Sequence, residues 1–374
     1  MKGKLFISVI LAVLLPAAIF AGGDSETGPI RIGVPGAHSG DLASYGLPTV
    51  HAAELVVSDV NENGGVNGRQ IELIVEDEQC IPEIATNTAA KLVGDNVVAV
   101  IGHICSGATR AAMGIYLDED IVAISPSATS PPLTQSGEYP NFFRTIAPDD
   151  AQAELQVDFA VNELGLENIA ILHDRGDYGK GLAEFVQDYI EENPDAEVTL
   201  FDGITVGAVD YSSIINRVAS SGADGLIYGG YHPEAARLVT QMRDQGIEIP
   251  FISGDGVKDE TFIAVAGDAA EGVYATSPVD TSSNPMAQAA TQAHIEEYGE
   301  EPGPFFMNAY AAALAIVNAI DVADSTEYEA ITEALRSTYV ETPLGSISFD
   351  ERGDAIGVGF AMNQVQNGVY REVE

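Results

Sequence analysis

The sequence predicts an α/β fold of two doubly wound parallel-sheet lobes joined by several crossovers. Short Val/Ile-rich runs alternate with longer stretches whose apolar residues recur at helical spacing. The alternation runs once from Ile30 and again from Asp149 onward, as two similar halves in tandem. A chain of 374 residues is also too long for one ordinary core.

In the first half the strands are "IRIGVPG" (Ile30–Gly36), "IELIVED" (Ile71–Asp77), "VVAVIGH" (Val97–His103) and "IVAISPS" (Ile121–Ser127). Each is rich in β-branched residues and bounded by Gly, Pro or acidic turns. Between them "VHAAELVVSDVNENGG" and "IPEIATNTAAKLVGD" read as helices closed by Gly or Asn-Gly. Such alternation implies parallel sheets wrapped by helices. The second half repeats it with strands "IAILHD", "VTLFDGI", "GLIYGGY" and "IPFISGDG" around helices such as "YGKGLAEFVQDYIEEN" and "HPEAARLVTQMRDQG". No low-complexity linker separates the halves, which points to close, multiply crossed connections. The tail from Phe305 to Glu374 offers the helix "AYAAALAIVNAIDVA" and strand-like runs around Ile347 and Val358. It is too small for a third domain and is expected to complete the first two. Lobe one is expected to comprise residues 28–147 with 279–357, and lobe two residues 148–278 with 358–374.

The first 23 residues point to export. Lys2 and Lys4 precede an apolar run from Leu5 to Phe20, and small residues follow at Ala21, Gly22 and Gly23. That pattern reads as a secretory signal peptide over residues 1–23, cleaved near Ala21–Gly23. The run is broken by Pro16 and is short for a membrane span of about 20 residues. No cysteine sits at the cleavage zone and no later segment reads as apolar enough to cross a membrane. The expectation is an exported protein without membrane insertion.

Charge excludes whole classes of partner. Two of the 16 basic residues and none of the 57 acidic ones fall in the leader, so 14 cations face 57 anions, a net charge of −43. Nucleic acid and anionic membrane surfaces repel such a body. The acidic residues are expected to form solvated helix faces suited to a salty medium.

In open parallel sheets, ligands sit beyond the carboxyl ends of the strands. Here those ends read "HICSGAT", "SPSATSPP", "GGYHPE" and "SGDG". Ser106 follows the third strand, and Ser127 and Thr129 follow the fourth. A hydroxyl beside backbone N–H groups at a helix or turn start suits a carboxylate or phosphate. Helix capping uses the same residues. There is no GxxxxGK[ST], no GxGxxG after a strand and little Lys or Arg near these turns, so one carboxylate fits better than phosphate. Asp255 in "SGDG" is then placed to hold an ammonium. Together these residues describe a receptor for an α-amino acid zwitterion. Tyr45, Tyr178, Tyr231 and Phe305 stand in Gly-rich or turn-like contexts and could wall its side chain.

Catalysis finds no support. His38, His51, His103, His173, His232 and His294 are scattered, without HExxH or paired zinc spacing, and no GxSxG or recognisable carboxylate pair occurs. No catalytic residue, metal or cofactor is expected. Cys80 and Cys105 are the only cysteines, and pairing is the expected state for two cysteines of an exported protein. A nucleophilic Cys105 would need a base, and adjacent His103 is expected on the opposite face of the strand.

The chain resembles the periplasmic binding proteins for leucine, isoleucine and valine, of the type I binding-protein fold. The likeness spans essentially the whole sequence after the leader. It is carried by "SGDLASYGLPTVHAAELVVSDVNENGGVNGRQIEL", "VIGHICSGAT", "ISPSATSPPLT", "LHDRGDYGKGLA", "FDGITVGAVDYSS" and "IYGGYHPEAARLV". The resemblance implies that Ser106 and Thr129 hold a ligand carboxylate. It implies that the Ser127 carbonyl, the Thr129 hydroxyl and Asp255 hold the ammonium. Tyr45, Ile104, Cys105, Tyr178, Tyr231 and Phe305 then meet the ligand side chain, with Ala128 in the same loop as Ser127. It also places Cys80 and Cys105 in one disulfide. Asp255 stands where the family usually has Glu, one methylene longer, and Ser127 replaces an Ala of which only the carbonyl is needed. The implied role is a monomeric periplasmic receptor that passes its ligand to the membrane permease of an ABC importer. Alternatives of the same fold are a receptor for an amide, a urea-like compound or an aromatic amino acid, and a chemosensory ligand-presenting protein.

The uncompensated charge generates a test. Surface repulsion is screened within a Debye length of about 10 Å at 0.1 M salt. The melting temperature is therefore expected to rise from low to molar salt. A flat or falling curve in a thermal scan would mean that the acidic surface is locally compensated.

Overall fold

The structure, a computed structural model, describes residues 28–373, so the expected leader over residues 1–23 lies outside the described residues. The chain begins with β1 (Ile30–Gly36), α1 (Ala43–Glu62), β2 (Ile71–Asp77), α2 (Pro82–Gly94), β3 (Ala99–Ile101), α3 (Ser106–Asp118), β4 (Val122–Ser125), α4 (Pro132–Gln135) and β5 (Phe142–Arg144). These strands form a parallel sheet in the order β2-β1-β3-β4-β5. The central strands are buried along nearly their whole length, whereas β2 at the edge alternates. Helices on both faces demand apolar side chains on both faces.

The second lobe starts with α5 (Asp149–Asp158), which continues into a π-helical turn, and proceeds through β6 (Asn168–His173), α6 (Asp177–Glu192), β7 (Glu197–Gly203), α7 (Ser212–Ser221), β8 (Gly225–Gly229), α8 (His232–Asp244), β9 (Phe251–Ser253), α9 (Glu260–Ala266) and β10 (Tyr274–Pro278). The chain then returns to the first lobe as α10 (Pro285–Tyr298), α11 (Phe306–Ala323), α12 (Tyr328–Ser337) and a small hairpin of β11 (Val340–Thr342) and β12 (Gly345–Ile347). It finishes on the second sheet as β13 (Phe360–Gln366) and β14 (Val369–Glu372). That sheet runs β14-β13-β10-β9-β8-β6-β7, parallel except for the antiparallel β13 and β14 at one edge. The chain thus passes between the sheets after β5, after β10 and again between residues 355 and 360.

The structure adds to the expected elements. β5 and β10 are not among the strands expected from sequence, because three residues and a Pro-ended five give too little pattern. The strand expected around Ile347 is β12, while its hairpin partner β11 and the final strand β14 are likewise new. The strand expected around Val358 begins at Phe360. One expectation is corrected. Among the described residues α11 is long and apolar enough to cross a membrane, by length and composition alone. Its Ala309, Ala312, Ile316 and Ile320 are instead buried, largely against α1 and the first sheet. A helix apolar on most sides is what the core of a large lobe requires.

One buried cation ties the first lobe together. Arg144 ends β5 with no solvent exposure. Its Nη1 donates to the carbonyls of Thr129 (2.7 Å), Ser130 (3.0 Å) and Ala128 (3.3 Å), and its Nη2 donates to Thr134 Oγ1 (2.6 Å). Nε donates to Asp354 Oδ1 at 2.5 Å. Asp354 reaches it because Gly353 lies flat on β5 at φ +102°, where a Cβ would strike the Phe142 carbonyl. Only glycine takes that backbone without strain.

Removing one partner of a buried pair typically costs 3–5 kcal/mol. Arg144→Leu is expected to destabilise the protein by about that much in urea unfolding. Arg144→Lys is expected to recover little, since a single ammonium cannot reproduce the planar fork. A Lys variant as stable as the natural protein would show that charge alone matters here.

Candidate functional site

The loops at the carboxyl ends of both sheets face one another. In the first lobe, β3 stops at Ile101 and α3 starts at Ser106, so Ile104 and Cys105 lie in the intervening turn, both buried. The turn after β4 runs beside it, and hydroxyls stitch the two together. Ser125 Oγ donates to the His103 carbonyl at 2.5 Å and accepts from Ala128 N–H at 2.9 Å. Ser127 Oγ donates to the Ile104 carbonyl at 2.8 Å, and Ser106 Oγ accepts from Ser130 N–H at 3.2 Å. Thr129 is fully buried and its hydroxyl has no hydrogen-bond partner of good geometry.

The disulfide between Cys80 and Cys105 spans a Cα–Cα distance of 5.5 Å and fastens the β2–α2 turn to the start of α3. His103 is engaged elsewhere. Its Nε2 meets Tyr116 Oη at 3.0 Å and its Nδ1 lies 3.7 Å from the fully buried Glu78. The sequence reading missed Glu78.

In the second lobe, Asp255 follows β9 and is 3 % exposed. Tyr178, in the first turn of α6, donates to Asp255 Oδ1 at 2.7 Å and accepts from Gly256 N–H at 3.0 Å. Gly179 and Gly229 make this possible, since a Cβ on either would overlap the other's backbone and hold α6 off β8. Tyr231, at the start of α8, packs on Tyr178 with ring centroids 5.1 Å apart. Gln152 of α5 binds two acids with one amide: Nε2 donates to Asp149 Oδ1 at 2.9 Å and to Asp255 Oδ1 at 3.3 Å. Its Oε1 accepts from the Asp255 N–H at 2.7 Å and from Thr276. Burial raises the Asp255 carboxyl to about 6, against the hydrogen bonds from Tyr178 and Gln152. Burial, then the charge of Asp255, also pushes Asp149 well above the usual carboxylate range. One negative charge on this pair is favoured over two.

A small cavity of about 20 Å³ lies between the lobes. Its walls bring together Tyr45, Ile104, Cys105 and Ser127 from the first sheet's side with Tyr178, Tyr231, Asp255 and Phe305. Gly256 completes the wall. Ser106, Ala128 and Thr129 are not on it; they lie buried in the adjoining turns. A wider cleft open to solvent adjoins it and shares Asp255 and Phe305. The lobes touch through Tyr45 Oη, which donates to the Gly256 carbonyl at 2.8 Å, and through an Arg110–Asp177 ion pair at 3.0 Å. The sequence reading passed over Ser125, Asp149 and Gln152, although "PDDAQ" opens a helix directly after a strand and puts polar residues on its inner face. Among the described residues no group of three or more His, Cys, Asp or Glu is placed to hold a metal ion.

Two α/β lobes closed on a small mixed polar and aromatic cavity suit capture of a small molecule. The sequence profile of the family described as "Periplasmic binding protein" matches residues 29–368. The chain belongs to that family. Within it, the chain is 35% identical over 361 residues to the leucine-, isoleucine-, valine-, threonine- and alanine-binding protein of Pseudomonas aeruginosa, covering 96% of both chains. It is 34% identical over 333 residues to the Leu/Ile/Val-binding protein of Escherichia coli K12, covering 89% of this chain and 90% of that one. The fold matches the leucine binding protein LivK of Thermotoga maritima with a TM-score of 0.86 at 26% identity, over 92% of this chain and 98% of that one. It matches LivJ of Streptococcus pneumoniae, solved with isoleucine, with a TM-score of 0.82 at 27% identity, over 92% and 100%. The sequence resemblance and the fold class read from it therefore stand.

Proposed function

We propose that this chain is the periplasmic receptor of an ABC importer, and that it captures a branched-chain or similar aliphatic amino acid by closing its lobes. The observation that carries the reading is Asp255, a buried acid on a cavity whose other wall is the turn leading into α3. An ammonium and a carboxylate on one carbon match that layout. Ser106 and Thr129 take the carboxylate, aided by N–H groups at the start of α3. Asp255, the Ser127 carbonyl and the Thr129 hydroxyl take the ammonium. Tyr45, Ile104, Cys105, Tyr178, Tyr231 and Phe305 enclose an aliphatic side chain, and Ala128 spaces Ser127 from Thr129.

Binding then stabilises the closed state because residues of both lobes meet one ligand. The lobes divide at residues 147, 278 and 357, which fits the three chain passages, and the hinge lies there. The protein is exported after cleavage near Ala21–Gly23, acts as a monomer, and delivers its ligand to a membrane permease. The relatives' binding of leucine, isoleucine and valine supports the ligand class.

A thermal-shift screen of the twenty amino acids tests the class, with the largest shifts expected for leucine, isoleucine and valine. Asp255→Ala is expected to weaken leucine at least thirtyfold by calorimetry, roughly 2 kcal/mol. Asp255→Glu, which restores the family's usual length, is expected to bind comparably or better. Unchanged affinity in the Ala variant would remove Asp255 from the site.

The raised carboxyl adds a pH signature. The unliganded acid is charged above about 6 and neutral below it, while the ammonium needs the charged form. Affinity is therefore expected to be level above pH 7 and to fall about tenfold by pH 5, one pKa unit below the transition. Asp255→Asn should flatten the profile.

A further inference from the structure

The closed lobes are joined by a hydrogen-bonded chain that ligand recognition does not require. His232 opens α8 in the second lobe and is 2 % exposed. Its Nδ1 lies 3.0 Å from the hydroxyl of Tyr45, which is on α1 of the first lobe. The rings meet edge to face at 5.3 Å. The Tyr45 O–H donates across the cleft to the Gly256 carbonyl at 2.8 Å. A hydroxyl has one proton, so with that proton given to Gly256 the contact to His232 must be donated by Nδ1–H. Tyr45 therefore bonds two segments of the opposite lobe, the start of α8 and the turn after β9.

We propose that His232 and the Tyr45 hydroxyl form an interlobe clasp that sets how long the closed, loaded state lasts, leaving only the Tyr45 ring to face the ligand. The inference rests on the receptor reading above. His232 is a positioning residue; it lines no part of the cavity. The clasp exists only when the lobes meet, so it cannot hasten encounter with the ligand. It acts on escape, which requires opening and hence rupture of both bonds inside a buried site. A net intramolecular hydrogen bond is worth enough to change an opening rate severalfold. Because the hydroxyl is committed to the protein, a ligand hydroxyl gains nothing from it. Tyr45 then selects by shape and apolar contact alone.

The test is a double-mutant cycle read by stopped-flow tyrosine fluorescence with leucine as the probe. Tyr45→Phe keeps the ring and removes the hydroxyl; His232→Leu removes the donor and keeps bulk. Each is expected to raise the leucine off-rate about fivefold, with the on-rate changed less than about twofold. The double variant is expected to release leucine no more than about twice as fast as either single one, because one clasp is lost once. His232→Asn, whose amide N–H can stand where Nδ1–H stood, is expected to recover part of the slow release. It also guards against misfolding of the Leu variant. The ratio of leucine to threonine affinity is expected to stay constant in Tyr45→Phe.

Off-rates that multiply in the double variant, or that do not change in either single one, overturn the clasp. So does a shifted leucine-to-threonine ratio, which would put the hydroxyl on the ligand. Failure of the natural protein to bind any of the twenty amino acids is a separate result and sinks the receptor reading instead.

Discussion

A guanidinium at the end of β5, wholly out of water, cannot be left without acceptors, and its neighbours are arranged accordingly. Burying an ion in a medium of low polarity costs several kcal/mol unless hydrogen bonds and an opposite charge replace its hydration. Arg144 finds three consecutive carbonyls in the turn after β4, one hydroxyl, and the carboxylate of Asp354. The backbone of Ala128, Thr129 and Ser130 is thereby fixed from beneath, which decides where the Thr129 hydroxyl sits. Beside it, Thr145 and Asn308 exchange side-chain to backbone bonds of 2.8 and 2.7 Å, so the start of α11 and neighbouring Phe305 are held to the same frame. One polar network sets the positions of donors and of an aromatic wall together.

The second lobe uses a neutral residue for the equivalent task. Gln152 offers both ends of its amide, the N–H to the two acids and the carbonyl to the Asp255 backbone and Thr276. An amide can bridge like charges without adding one. This leaves Asp255 oriented by Tyr178 yet poorly compensated, with a carboxyl raised toward neutrality. The two lobes are thus electrically unlike: a cation organises the side rich in hydroxyls, and a neutral bridge organises the side that carries negative charge.

Much of the fold was legible because it is written in long apolar runs. β1, β6 and β8 are buried on both faces and read as continuous Val/Ile/Leu stretches, while β5 and β10 are too short or too Pro-bounded to show a period. α11 was recognised as a helix, but its apolar character was underrated, since burial on most sides depends on neighbours that lie far away in sequence. At the candidate site, hydroxyls and aromatics in loop and turn contexts stood out by position, and five of them line one cavity with Asp255. Ser125, Gln152 and His232 did not stand out. The partners that give them these roles lie 22, 103 and 187 residues away, so local context such as "PDDAQ" shows polarity but not the role. Residues that line the cavity announce themselves by loop context; residues that hold those residues in place are defined only by the finished fold.

The three passages of the chain between the lobes bear on the timing of folding. The core of the first lobe contains α11 and Phe349, and its sheet accepts Asp354 against β5. The second sheet hydrogen-bonds β10 to β13, a strand that begins at Phe360. Neither lobe can be completed from the residues that precede α10. Contacts so distant in sequence carry a large loop-closure cost and form late. A partly synthesised chain therefore has one sheet without its covering helices, one sheet without its last strands, and neither lobe complete. Completion of either lobe thus waits on the final strands, so folding of the two halves is coupled in time as well as in space.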